Sequence, residues 1–148
     1  MIKIIASIGG IGYIKGGGTI AAAVWSILWY VLQLHNGNIT FQISSFILIT
    51  ILGIWTGNLV EKDWGKDSSK VVIDEVAGVG LALIGCPIKW YYVLIGLALF
   101  RFFDIVKPLG IRRMESFPKG WGVMADDLLA GLYSLIVLQI LITLNFLN

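Results

Sequence analysis

Five apolar segments, each close to the length of a membrane span, alternate with short polar stretches along this chain, and the alternation permits few folds. A helix needs about 20 predominantly apolar residues to cross a bilayer. Only 14% of the 148 residues are charged, whereas soluble domains carry about 25%, so the excess apolar surface is expected to face lipid. The pattern predicts an all-α, small polytopic membrane protein with about five membrane-embedded helices, formed as one domain over residues 1–148.

The five helices have boundaries that local sequence signals suggest. Thr19 is a candidate N-cap for the first helix, and Ser68 or Ser69 for the third. The third is short for a span, so we expect it to be tilted, continued by its neighbours or partly buried in protein. A short interfacial helix is expected over residues 111–117. The predicted helices are 19–34, 41–60, 70–84, 87–106, and a fifth that starts between 123 and 126 and ends near 146.

If the five helices cross in alternation, the charged residues gather on one side of the membrane. Of the 11 Lys and Arg residues, only Lys89 falls on the other side, and the Lys/Arg bias predicts that the N-terminus and the loops 61–70 and 101–127 are cytoplasmic. All nine Asp and Glu residues fall on the same side, although acidic residues do not obey that rule. A shared site at the cytoplasmic face explains why the acidic residues gather on this side. The net charge of +2 is too small to indicate nucleic-acid binding.

Two acidic pairs at the edges of apolar helices are the strongest candidates for that site. Asp74-Glu75 and Asp126-Asp127 each join adjacent carboxylates, which repel one another. A helix dipole stabilises an acid near an N-terminus only weakly, whereas carboxylate oxygens are the ligands that Mg²⁺ prefers. We therefore predict a magnesium site. The remaining acids of the loops are interpreted as solvated ion pairs: Glu61, Asp63 and Glu115.

The residue types that are present exclude several phosphatase chemistries. The sole histidine, His35, falls on the opposite side, and no arginine lies six positions after Cys86, so histidine- and cysteine-based mechanisms are excluded. Metal-assisted phosphoryl chemistry remains. Arg101, Asp104 and Lys107 recur every three residues, so Asp104 is expected between two cations on one helix face. Spacing alone leaves open whether these three form a local ion-pair ladder or bind substrate.

Through four sequence elements, the chain resembles the phosphatidylglycerophosphatase A family. Members of that family are magnesium-dependent membrane phosphatases of bacterial phospholipid synthesis. The family patterns F-R-x-F-D-x-x-K-P and G-x-G-V-M-x-D-D-x-x-A-G are matched fully by residues 100–108 and 120–131. Two further elements, over 15–19 and 66–78, match loosely. The chain departs from the family where proline is usual, at Gly17, Ser68 and Gly110, all of which are positions that stiffen loops.

The resemblance implies a function and a set of site residues. It implies hydrolysis of phosphatidylglycerophosphate to phosphatidylglycerol and inorganic phosphate with one or two Mg²⁺ ions, in the inner membrane. The implied metal ligands are Asp74, Glu75, Asp126 and Asp127, with Asp67 or Asp104 completing the shell. The implied catalytic set adds Arg101 and Lys107, and the implied substrate-binding residues are Lys15, Gly18, Thr19, Lys66, Arg101 and Lys107.

Three questions stay open at this stage. The nucleophile is either a water activated by a carboxylate or one of the acids, which would form an aspartyl phosphate. The oligomeric state is undetermined. A small carboxylate-lined cation carrier or channel is the alternative function, and it predicts acids at mid-membrane depth on helices that cross between the two sides.

Overall fold

The computed structural model describes residues 1–66, 68–118 and 120–144, and it contains no strand over those residues. The all-α prediction is confirmed, and the five predicted helices correspond to the second, third, fourth, fifth and seventh of those observed. A 3₁₀ turn covers Ile11–Tyr13. The helices are α1 (Ile2–Ala6), α2 (Gly17–Asn36), α3 (Ile39–Trp64), α4 (Ile73–Ala82), α5 (Trp90–Val106), α6 (Ile111–Met114) and α7 (Gly120–Thr143).

Three of these helices are long and apolar enough to cross a membrane. Within the described residues they are α2, α3 and α7. Their outer faces carry large exposed aliphatic side chains, among them Ile27, Leu48 and Ile140, which lipid tails solvate at no cost. Helix α5, with 17 residues, extends for about 26 Å. The chain is therefore a membrane protein, and the predicted number of five spans holds only approximately.

Helix α4 lies at the centre of the bundle. It has ten residues and extends for about 15 Å, half the thickness of a hydrocarbon core. It packs against α2, α3, α5 and α7, and eight of its residues are buried. A helix that is apolar on all sides is one that neighbours surround. Of the alternatives for the short third helix, burial in protein is therefore the one observed.

Several predicted helix starts are wrong, each because a tertiary contact or a glycine sets the boundary. Helix α2 begins at Gly17 after a left-handed Gly16, so Thr19 is not its N-cap. Helix α4 follows Val72 rather than either serine. Helix α7 begins earlier than predicted because the Asn58 Oδ1 atom accepts a hydrogen bond of 2.9 Å from the Gly120 amide. The interfacial helix α6 covers only the first four residues of the predicted 111–117.

Candidate active site

Close contact between α4 and α7 brings two acidic turns together. Gly78 follows Asp74 by one helical turn, and Gly131 follows Asp127 by one turn. A Cβ atom on Gly78 would come within 2.7 Å of the Asp127 carbonyl oxygen, and one on Gly131 would overlap the Gly78 carbonyl oxygen. Only glycine permits the two backbones to approach so closely. The two glycines therefore hold Asp74 and Asp127 side by side.

Three carboxylates form a compact group at this crossing. Asp74, Glu75 and Asp127 each offer an oxygen, and these oxygens all lie within 4.8 Å of one another. Asp74 and Asp127 are only 6% and 4% exposed. Asp74 Oδ1 and Glu75 Oε2 are buried without a hydrogen-bond partner among the described residues. Buried, unpaired carboxylate oxygens destabilise a fold, and several of them facing one another fit a hard cation such as Mg²⁺. We call these three residues the carboxylate cluster.

Asp126 is equally buried but has a different partner. Lys107 Nζ donates to Asp126 and also to Glu115, the latter at 2.8 Å. Burial lowers the pKa of Lys107, but the hydrogen bonds to Asp126 and Glu115 outweigh it and raise the pKa above its ordinary value, so the ammonium stays charged. Lys107 ends α5 in the left-handed conformation, with φ 49°, which costs a non-glycine residue about 1–2 kcal/mol. Residues held in such conformations are common at functional sites.

The predicted position of Asp104 between two cations is half correct. Arg101 Nη1 donates to Asp104, as the three-residue spacing predicts. Lys107 binds Asp126 and Glu115 instead, because the left-handed turn redirects the chain at the end of α5. Asp104 is close enough to both Glu75 and Asp127 to interact with them electrostatically. It therefore belongs to the edge of the carboxylate cluster.

Glu115 is not the solvated charge that its place in a loop suggested. Its side chain is 35% exposed and bonds the same ammonium that binds Asp126. By contrast, Asp63 pairs with Lys3 at 2.7 Å, and both side chains are about half exposed, as expected for a surface pair. Glu115 is thus connected to the site through Lys107. This contact could not be predicted from local patterns, because the two residues meet only when the chain turns after α5.

A cavity of about 550 Å³ opens beside the carboxylate cluster. Four predicted substrate-binding residues line it, namely Lys15, Gly18, Thr19 and Arg101. A Cβ atom on Gly18 would overlap the Glu75 carboxylate, so glycine is required where α2 meets the cluster. The full lining is residues 12–19 together with Ser69, Lys70, Glu75 and Arg101.

The cavity includes residues that sequence reasoning missed and leaves out others that it proposed. Tyr13, Ser69 and Lys70 line the cavity, but none of them is among the residues that carry the family resemblance. Lys70 precedes Asp74 by four residues, one turn of the helix predicted over 70–84, and that spacing was the available signal. Lys66 is exposed and does not line the cavity. Asp67 lies outside the described residues.

Comparison with known proteins identifies a family. The sequence profile of phosphatidylglycerophosphatase A matches residues 4–142. A Bacteroides thetaiotaomicron protein, provisionally named a phosphatidylinositol-3-phosphatase, is 44% identical over 84% of this chain and 79% of its own. Phosphatidylglycerophosphatase A of Haemophilus influenzae is 37% identical over 81% and 75%, and that of Escherichia coli is 29% identical over 79% and 69%. No solved structure matches.

Proposed function

The chain belongs to the phosphatidylglycerophosphatase A family, and we propose that it hydrolyses phosphatidylglycerophosphate to phosphatidylglycerol and inorganic phosphate with the help of Mg²⁺. Membership makes the chain a lipid phosphatase of the membrane. The finer statement about metal and substrate is the proposal. A cation carrier is less well supported, because the clustered acids lie together beside a cavity rather than at intervals along crossing helices.

One observation carries the proposal: carboxylate oxygens of Asp74, Glu75 and Asp127 meet at the α4–α7 crossing, and over the described residues Asp74 Oδ1 and Glu75 Oε2 are buried without a hydrogen-bond partner. Asp74, Glu75 and Asp127 would hold the cation, and Asp126, which Lys107 binds, would lie beside them. When bound there, Mg²⁺ would polarise a phosphate oxygen and lower the pKa of a bound water. The absence of a histidine or cysteine in the cluster favours Mg²⁺ over Zn²⁺.

The remaining side chains would handle the substrate's charge and protons. Arg101 borders the cavity, so its guanidinium would donate to the phosphoryl oxygens, while Lys107 would offset the negative charge around Asp126. Water would attack phosphorus and lose a proton to one carboxylate. The bond between phosphorus and the glycerol oxygen would break, that oxygen would take up a proton, and inorganic phosphate would leave.

We propose that the site faces the cytoplasm from the inner membrane. The basic residues that flank the carboxylate cluster, including Lys15, Lys70, Arg112 and Arg113, belong to the side that the Lys/Arg bias assigns to the cytoplasm. The lipid tails would remain in the bilayer while the headgroup enters the cavity from the interface. Impermeant thiol labelling of a cysteine introduced at position 112 should require broken cells, and efficient labelling of intact cells would contradict this orientation.

A phosphatidylinositol 3-phosphate is the second candidate substrate. This candidate comes from the name of the Bacteroides relative, which is 44% identical to this chain. Both candidate lipids present a phosphomonoester to the cytoplasm, so the same carboxylate cluster would serve either reaction.

Phosphate release from purified protein tests the proposal. The two candidate lipids and phosphatidate are compared with Mg²⁺, with EDTA, and with Mg²⁺ restored. We expect release from phosphatidylglycerophosphate that is lost with EDTA and recovered with Mg²⁺. Full activity after chelation would contradict the metal, and faster release from the inositol lipid would assign the second substrate instead.

A further inference from the structure

We infer that Lys15 and Lys70 form a second anion subsite, which binds the phosphodiester of a lipid headgroup while its phosphomonoester lies at the carboxylate cluster. The inference rests on the proposed function and adds a determinant of substrate class to it. Both lysines line the same cavity as Glu75 and Arg101, so one bound headgroup can reach both places. Lys70 lies within the loosely matched element over 66–78, but it is not one of the residues that carry the match.

Glycine packing fixes the position of Lys70 beside the turn that carries Lys15. A Cβ atom on Gly12 would overlap the Lys70 carbonyl oxygen, and one on Gly17 would come within 2.5 Å of the Ile11 carbonyl oxygen. The turn over residues 11–17 is therefore folded tightly on itself and against the Lys70 backbone. This packing holds two cations from distant parts of the sequence at one cavity.

Two aromatic rings orient the Lys70 ammonium without neutralising it. Its Nζ lies 5.7 Å from the Tyr13 ring centre and 5.8 Å from that of Trp64. The two rings pack edge to face, with centroids 5.8 Å apart. Cation–π contacts attract an ammonium electrostatically but leave its charge in place. Lys70 is thus held in position and remains able to bind an anion.

The charge balance around the cavity also favours an anionic ligand. The neighbouring cations have carboxylate partners: Lys3 pairs with Asp63, Arg101 with Asp104, and Lys107 with Asp126 and Glu115. Over the residues that the structure describes, no acidic side chain pairs with Lys15 or Lys70. The first amides of α2, at Gly18 and Thr19 beside the same cavity, lack intrahelical acceptors and add donors for an anion.

The chemistry of the substrate identifies that anion as a phosphodiester. Within the proposed function, Arg101, which borders the cavity, and the bound cation would offset the charge of the phosphomonoester. The one other anionic group in the headgroup of phosphatidylglycerophosphate is its phosphodiester, which a three-carbon glycerol separates from the monoester. A phosphatidylinositol 3-phosphate carries the same two groups, whereas phosphatidate lacks the phosphodiester. The subsite would therefore favour lipids that carry both phosphates.

Steady-state kinetics of the full chain in nanodiscs test the subsite. Lys70→Gln and Lys15→Gln are compared on phosphatidylglycerophosphate and phosphatidate, with Lys62→Gln as the matched control, because Lys62 is exposed and lies outside the cavity lining. We expect each cavity variant to raise KM for phosphatidylglycerophosphate about tenfold, to leave kcat within about twofold, and to change phosphatidate hydrolysis little. Lys70→Arg should recover most of the affinity. Equal losses on both lipids would overturn the inference and assign the lysines to general attraction toward the membrane, and unchanged KM values would overturn it outright.

Binding of a soluble probe separates this inference from the proposed function. Glycerophosphoglycerol carries the phosphodiester without the monoester or the lipid tails, and inorganic phosphate carries neither glycerol group. By calorimetry, we expect Lys70→Gln to weaken glycerophosphoglycerol binding about tenfold and to leave phosphate binding unchanged. If wild type binds glycerophosphoglycerol through Lys70 but releases no phosphate from the lipid, the proposed function fails and the subsite stands. If wild type hydrolyses the lipid but the variant binds the probe equally well, the subsite fails alone.

Discussion

Two buried polar clusters lie in this bundle, and they differ in how their polar atoms are satisfied. One is an amide cluster: Gln42 Nε2 donates to Gln33 Oε1 at 2.9 Å, and the Gly85 amide donates to Gln42 Oε1 at 2.8 Å. Gln139 joins it by donating to the Ile84 carbonyl at 3.1 Å. These neutral bonds connect α2 with α3, and α3 and α7 with the turn after α4. Over the described residues, Gln33 Nε2 is buried without a partner. The other amide groups named here are hydrogen-bonded within the cluster.

The carboxylate cluster has the opposite character. Its three acidic side chains are close together, with Asp74 and Asp127 buried and Glu75 half-buried, and two of their oxygens have no partner among the described residues. Such an arrangement destabilises the fold unless a ligand completes it. The difference teaches that burial of polar groups does not by itself indicate function. A buried network whose polar atoms are hydrogen-bonded to one another indicates a structural role. A buried group of carboxylates with like charge and unpaired oxygens indicates a ligand site.

The largest effect should come from removing one charge from the carboxylate cluster. Asp127→Asn keeps the side-chain volume but removes a proposed metal ligand, so phosphate release should fall by several orders of magnitude. Glu61→Gln is the matched control, because Glu61 belongs neither to the carboxylate cluster nor to the lining of the cavity beside it. Equal losses in the two variants, measured at saturating Mg²⁺ on folded protein, would contradict the assignment. Partial recovery of Asp127→Asn at higher Mg²⁺ would support it.

The next effect concerns the Lys107 ammonium, which binds Asp126, the first acidic residue of α7. Lys107→Met removes the partner of both Asp126 and Glu115, so activity should fall about 10²–10³-fold. Stability should fall too, because the buried Asp126 carboxylate loses a charged hydrogen-bond partner. Lys62→Met, at an exposed position, is the control and should change neither activity nor melting temperature. Normal activity of Lys107→Met would show that the pair is only structural.

A smaller loss of activity should follow from separating the helices that carry the acids. Gly131→Ala would force its new Cβ atom into the Gly78 backbone, and overpacking of this kind costs about 1–3 kcal/mol. The shift should move Asp127 away from Asp74 and lower activity as well as melting temperature. Leu132→Ala, on the exposed side of the same helix, serves as the control. A stable and fully active Gly131→Ala would refute the role of the close helix contact.

The smallest effect on activity is expected in the amide cluster. Gln42→Leu leaves the Gly85 amide without its acceptor, which should destabilise the protein by about 1–3 kcal/mol. Phosphate release per folded molecule should stay unchanged. Thermal melting and a phosphate assay on the same sample separate the two outcomes. Ser44→Ala, at an exposed serine, is the control.

The sequence predicted the helical architecture because apolar length and Gly or polar breaks are local signals. It also predicted a shared site for Asp74 and Asp127, because both acidic pairs lie at the edges of apolar helices on one side of the membrane. It could not predict that Lys107 binds Asp126 rather than Asp104, since that contact depends on the left-handed conformation of Lys107 and on the turn after α5. Nor could it predict the place of Lys70, which the packing of Gly12 determines.

Thermal melting with and without Mg²⁺ tests most directly the claim that the carboxylate cluster binds a ligand and the amide cluster does not. Binding to the folded state alone raises stability by RT ln(1 + [L]/Kd), about 2.7 kcal/mol at a hundredfold excess over Kd. We predict that Mg²⁺ raises the melting temperature of wild type and of Gln42→Leu by equal amounts. Asp127→Asn should melt no lower than wild type without Mg²⁺ and should gain much less than wild type at the same Mg²⁺ concentration. An equal Mg²⁺ shift in Asp127→Asn and wild type would contradict the account.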